Sequence, residues 1–147
     1  MSEGLSFQIP ALPEHLRDLR KAVREGVETM GISERICEQV VLIVDELVSN
    51  AIEHGDSYRT GGGELLIQVK LTRGGLWMEF IDPDMPAPVV AQLRKALEGW
   101  DGTPPPLGNE RGRGLFLISA YVDELIVQGA QGGGLHVRGR IAVSGSA

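Results

Sequence analysis

The chain has one cysteine among 147 residues, Cys37. It therefore has no internal disulfide and no cysteine-rich zinc site. It also lacks basic surplus: the net charge is −6. That argues against nonspecific nucleic-acid binding, which depends on Lys and Arg neutralising phosphates. No run approaches the roughly 20 apolar residues of a membrane span. The opening MSEGLSFQIP is short and acidic and contains no secretory signal. There is no internal repeat and no domain linker. These absences leave a soluble cytoplasmic protein as the expectation, with no membrane and no direct nucleic-acid partner.

What is present is ordinary for a globular chain: 42% hydrophobic and 23% charged residues. This length favours a single domain spanning 1–147, able to bury roughly 68–70% of its unfolded surface. The twenty glycines cluster at 61–63, 74–75, 112–114 and 129–134, so they punctuate turns.

The stretch from Glu38 to Gly55 organises the rest. Ile36, Val40, Ile43, Leu47 and Ala51 recur at spacings of three and four, the stripe of an amphipathic helix, and Val44 and Val48 widen it. Glu46, Asn50 and His54, each four apart, line one edge of that helix. An acid, an amide and an imidazole beside a core face form either a buried polar network or a site. His54, close to the stripe, reads as structural. Cys37 reads as a small core or boundary residue.

Before this helix, Leu5, Phe7 and Ile9 alternate with polar residues as in a half-buried strand. Leu16, Leu19, Val23, Val27 and Met30 mark a second amphipathic helix, stopped by Gly31. Ser33 is a suitable N-cap for the organising helix, and Gly55 a suitable terminator. After it, residues 56–63 form a polar loop. Glu64–Thr72 is a strand with Leu65, Ile67, Val69 and Leu71 on one face. A turn at Thr72–Gly75 leads into a second strand, Leu76–Asp82. There Met78, Phe80 and Asp82 share a face, so a carboxylate at the strand end points toward the helices.

Val89–Leu97 is expected to be a short helix. Gly99–Asn109, with three consecutive prolines, reads as a long loop, either a surface connection or a lid. Arg111, Gly112, Arg113 and Gly114 then precede the apolar run Leu115–Ile118. Backbone N–H groups at such a helix start favour anions. Strands at Asp123–Gln128 and Leu135–Val143 complete an α+β fold: a two-layer sandwich with helices on one face of a mostly antiparallel sheet.

Three stretches in this order resemble the histidine-kinase-like ATPases, the GHKL or Bergerat fold. Glu46-Leu-Val-Ser-Asn50-Ala-Ile-Glu-His54-Gly55 looks like their N box. Met78-Glu-Phe-Ile-Asp82 looks like the strand leading into the first glycine box, and Gly112-Arg-Gly114-Leu-Phe-Leu-Ile118 looks like the second. The phrase RGLFLISAYVDEL resembles the branch of bacterial anti-sigma factors and serine-protein kinases.

The resemblance implies ATP and Mg²⁺ as cofactors. It implies Asn50 as the Mg²⁺ ligand and Glu46 as a base or water-orienting group. Asp82 would accept from the adenine amino group. Gly112 and Gly114 would hold the phosphates, with Arg111 and Arg113 beside them. An ATP lid would span about 99–111. The implied partners are a sigma factor and an anti-anti-sigma (STAS-type) protein, with a homodimer possible in the family. The implied activity is phosphorylation of Ser or Thr on that antagonist.

One departure stands out. The family continues after the Asp with x-Gly-x-Gly, whereas this chain reads Asp82-Pro83-Asp84-Met85-Pro86. Asp84 adds a side chain and a negative charge where backbone approaches the base. The alternative is accordingly a non-catalytic, partner-gripping module with an eroded nucleotide site.

Overall fold

The computed structural model describes residues 3–55, 58–59, 63–98 and 118–143. Strand β1 (Glu3–Pro10) leads through a 3-10 turn (Pro13–His15) into helices α1 (Leu16–Glu28) and α2 (Glu34–Gly55). Strands β2 (Glu64–Thr72) and β3 (Gly75–Asp82) follow, then α3 (Ala87–Glu98), β4 (Glu124–Gly129) and β5 (Leu135–Ile141). The described strands form one sheet in the order β1-β2-β3-β5-β4. Every neighbouring pair is antiparallel.

The register explains the alternation in the sequence. Leu5, Phe7 and Ile9 stand opposite Val69, Ile67 and Leu65. Ile67 and Val69 stand opposite Phe80 and Met78, and Phe80 opposite Val137. Side chains directly opposite share a face, so one continuous apolar face runs across four strands. Asp82 pairs with Leu135 and so lies on that same face. The α+β expectation, with helices against one side of an antiparallel sheet, is what the structure shows.

Helices α1 and α2 pack together over this face. Leu19, Val23 and Val27 of α1 are buried, as is the whole expected stripe of α2 from Ile36 to Ala51. Gly31 ends the α1 segment at φ +75°, a left-handed conformation that only glycine adopts without cost. Ser33 caps α2: its Oγ accepts from the Ile36 N–H at 3.4 Å.

Several boundaries differ by one or two residues from the sequence reading. Helix α3 begins at Ala87, because the Pro86 carbonyl accepts from the N–H groups of both Val89 and Val90. A proline within the first turn loses nothing there. Strand β4 begins one residue late; Asp123 before it donates its backbone N–H to the Arg140 carbonyl at 2.7 Å, and its Oδ2 accepts from the Ala142 N–H at 2.7 Å. That bond lies just past Ile141, where β5 ends, two residues short of the expected Val143.

Candidate functional site

Helix α2 carries the site because its apolar stripe fixes its rotation. With Leu47 and Ala51 buried against the sheet, Asn50 must lie at the edge of the core, and it is half-buried there. It opens onto a cleft of about 340 Å³, mouth included. The cleft lies between Leu47, Asn50 and Ala51 of α2, Phe80 of β3, Leu135 of β5, and Met85 with Leu93 of the α3 region. Its walls are apolar and Asn50 supplies the amide. Apolar walls with one polar group are the lining of a small-molecule pocket.

Glu46 lies one helical turn back from Asn50. It is half-buried. Its carboxyl is held above the ordinary carboxylate range, first by burial and then by the neighbouring charges of Asp45 and Glu53. A carboxylate raised toward neutral pH is a better proton acceptor than an exposed one.

Asp82 ends β3 and is fully buried. It is not open to the cleft. Arg59 grips it in a fork: Nη1 donates to Oδ1 at 3.0 Å and Nη2 to Oδ2 at 2.9 Å. The Tyr58 hydroxyl donates to Oδ2 at 3.0 Å, and the Asp84 backbone N–H donates to Oδ1 at 3.1 Å. Arg59 also donates from Nη1 to Asp84 Oδ2 at 3.1 Å and from Nη2 to the Ala51 carbonyl at 3.1 Å. Its pKa is raised, chiefly by the hydrogen bond to Asp82, so it stays charged although it is mostly covered. The guanidinium carbon lies 5.3 Å from the centre of the Tyr58 ring.

Local backbone sets this up from both sides. The N–H groups of Tyr58 and Arg59 both donate to the Gly55 carbonyl, at 3.0 and 2.7 Å, so the chain turns back over the end of α2. On the other side Gly134, at φ +99°, lies so close to the Asp82 carbonyl and Pro83 that a Cβ would collide with both. That glycine lets the β4–β5 turn close over the end of β3.

The alternation of β3 turns Asp82 into the layer that holds Asn50, and the structure buries it there, sealed from the cleft by Arg59; Glu46 is not among the residues lining the cleft. The sequence reading did not find Tyr58 and Arg59, which sit in a polar loop without periodicity. The signal available was electrostatic: a buried carboxylate at Asp82 needs a cation, and Arg59 is a cation in the loop that returns from α2. Asp84, read as a charge opposing a polyanion, is instead turned to Arg59. Arg111, Gly112, Arg113 and Gly114 lie outside the described residues, as do the whole of the expected lid and the side chain of His54. Among the described residues no group of three or more His, Cys, Asp or Glu gathers to hold a metal. Mg²⁺ ordinarily keeps several waters and few protein ligands, so one amide such as Asn50 suits it as a partner.

An antiparallel sheet covered by paired helices, with a polar helix edge on an apolar cleft and a carboxylate buried at the neighbouring strand end, suits the nucleotide-binding architecture of the histidine kinase-like ATPases. The family's sequence profile, the histidine kinase-like ATPase domain, matches residues 9–141, and the chain belongs to that family. No curated protein matches it. Among solved structures, the chain is similar to the RsbU and RsbW domains of a Mycobacterium tuberculosis protein, with 19% identity and a TM-score of 0.66. That match covers 96% of this chain and 32% of the other, so this chain spans about a third of that protein. It is also similar to the SiaB–SiaC complex from Pseudomonas aeruginosa, with 14% identity and a TM-score of 0.76, covering 93% and 88%. At these identities the likeness shows a shared fold.

Proposed function

We propose that this chain is an anti-sigma regulatory factor. It binds Mg-ATP and phosphorylates a Ser or Thr of an anti-anti-sigma protein of the STAS type, controlling transcription by exchanging partners. The observation that carries the reading is the placement of Asn50 on the wall of an apolar cleft, one turn from a Glu46 carboxyl raised by burial. Family membership supports nucleotide binding. The two structural neighbours, whose names are those of RsbW and SiaB, support the partner-exchange setting.

The residues fit the group. The apolar walls suit a planar base, and the Asn50 amide oxygen suits a hard cation. When bound, Mg-ATP supplies the phosphoryl group and neutralises charge around it, so the protein's task is positioning. Asn50 would orient the metal. Glu46 would take the proton of the partner's hydroxyl. Arg111, Gly112, Arg113 and Gly114 would hold the phosphates at their helix start. Phe80, Leu93 and Met85 would keep water from the base.

The test is a phosphotransfer assay with the cognate antagonist beside calorimetry with ATP. Asn50→Ala removes magnesium-dependent ATP binding. Glu46→Gln retains binding and loses transfer by a factor on the order of 10²–10⁴. A Glu46→Gln protein that transfers phosphate at the normal rate rules out the assigned base.

A second reading, a partner-binding module without catalysis, is favoured by one observation: every acceptor site of Asp82 is already used within the protein. Partner capture indifferent to ATP and to Asn50→Ala would select it.

A further inference from the structure

Asp82 accepts four hydrogen bonds, two on each oxygen. A carboxylate has about four lone-pair sites, so none remains for a ligand. Arg59 is committed to the same degree: its two terminal nitrogens make four hydrogen bonds, to Asp82, Asp84 and the Ala51 carbonyl. An amino group of a purine cannot donate to Asp82 until Arg59 or Tyr58 lets go. The cleft wall also stops short of Asp82: it includes Ala51, whose carbonyl Arg59 holds, and Met85, but not Asp82 or Arg59.

We infer that Arg59 is a latch on the base subsite, a positioning residue that competes with the purine amino group for Asp82 and so sets both nucleotide affinity and discrimination between bases. Asp84 is the second half of the latch. It stands where the family has glycine, and its carboxylate holds Arg59 by a second ion pair at 3.1 Å. The inference rests on the nucleotide reading above and adds a regulator to it.

The consequence is quantitative. A ligand's apparent affinity falls by the fraction of protein in the competent state. If the latch is closed about nine-tenths of the time, releasing it tightens binding about tenfold. The gain is confined to bases with an amino group at this position. Inosine triphosphate lacks that group, so an open Asp82 offers it nothing.

The experiment is titration calorimetry with ATP and with inosine triphosphate, each with Mg²⁺, on wild type, Arg59→Gln and Asp84→Asn. Asp84→Asn keeps the Arg59–Asp82 fork and so carries the test even where removing Arg59 compromises folding; a melting curve checks each protein. The expected result is ATP binding about tenfold tighter in Arg59→Gln and about threefold tighter in Asp84→Asn, with inosine triphosphate nearly unchanged. ATP affinity unchanged or weaker in both variants overturns the latch, as does an equal gain for both nucleotides, and either leaves the nucleotide reading standing. No binding of ATP at millimolar concentration by any of the three proteins overturns both.

Discussion

Replacing Asp82 by Asn is the sharpest perturbation of this site, because it keeps the shape and removes the charge. In the native state Asp82 is fully buried and Arg59 is 13% exposed. Breaking a buried ion pair by removing one partner costs about 3–5 kcal/mol, since the remaining charge is left desolvated. Two features set the value here. Arg59 keeps Asp84 and the Ala51 carbonyl, which lowers the cost. An amide nitrogen facing the Tyr58 hydroxyl and Arg59 Nη2 replaces an acceptor by a donor, which raises it. The balance is about 3 kcal/mol, at the lower end of that range. For a chain of this length each kcal/mol moves Tm by roughly 2–4 °C, so the expected fall is about 6–12 °C. The assay is thermal melting of wild type, Asp82→Asn, Arg59→Gln and the double variant. The double variant should be less destabilised than the sum of the singles, with a coupling of about 1–3 kcal/mol. The loss should persist in 1 M salt, because buried pairs are little screened. A Tm within about 2 °C of wild type, or additive single effects, would show that the cluster does not exist in solution, and the latch would go with it.

Two further outcomes follow from other contacts. The Glu46 carboxyl is raised by burial, then by Asp45 and Glu53. The native state thus favours its protonated form: the resulting stability is fully present below the unfolded value and is lost as pH rises through the raised native value. Glu46→Gln should therefore melt higher than wild type at pH 7 and equally at pH 4, and a wild-type advantage at pH 7 refutes the assignment. Gly134→Ala places a Cβ against the Asp82 carbonyl at a φ of +99° and should cost about 1–3 kcal/mol by urea unfolding. It should also shrink the extra cost of Asp82→Asn, because the end of β3 has already shifted; full additivity would mean that Gly134 does not position Asp82.

The parts of the fold set by periodicity were legible in the sequence. The 3.6-residue stripe of α2 placed Asn50 at the core edge, and the two-residue alternation of β3 turned Asp82 inward. Both follow from a local repeat that tertiary contacts only had to accept. The ends of elements were less legible, because side chains decide them. Asp123 reads as a strand residue; its backbone N–H still donates to the Arg140 carbonyl, while its side chain bonds the Ala142 N–H just past the end of β5. The Arg59 cluster was the least legible. It joins residues 23 and 25 positions apart in sequence, through a loop whose composition records only that it is polar. Polar loops have no period to read, so the pairing depended on where α2 ended and how the chain turned back over Gly55.

Asp84 changes meaning once Arg59 is in view. Against the family pattern it is a lost glycine beside a polyanion site. Within the fold it makes Arg59 the cation of a cluster with two carboxylates, Asp82 and Asp84. An arginine facing Asp82 alone would be held by one pair and could be drawn off by any competing acceptor. With Asp84 and the Ala51 carbonyl added, it is held from three directions. The Ala51 bond then matters for more than affinity. Ala51 follows Asn50 directly on α2, so displacing Arg59 takes one hydrogen bond from a helix carbonyl beside the residue proposed to meet the metal. On the latch proposal, opening the base subsite would act on the Asn50 turn through that bond. A purine that pulls Asp82 free should therefore be felt at Asn50, whereas a nucleotide without the amino group should leave the Asn50 side chain amide unshifted in an NMR titration. Equal shifts from ATP and inosine triphosphate would separate the two subsites and confine Arg59 to a structural ion pair.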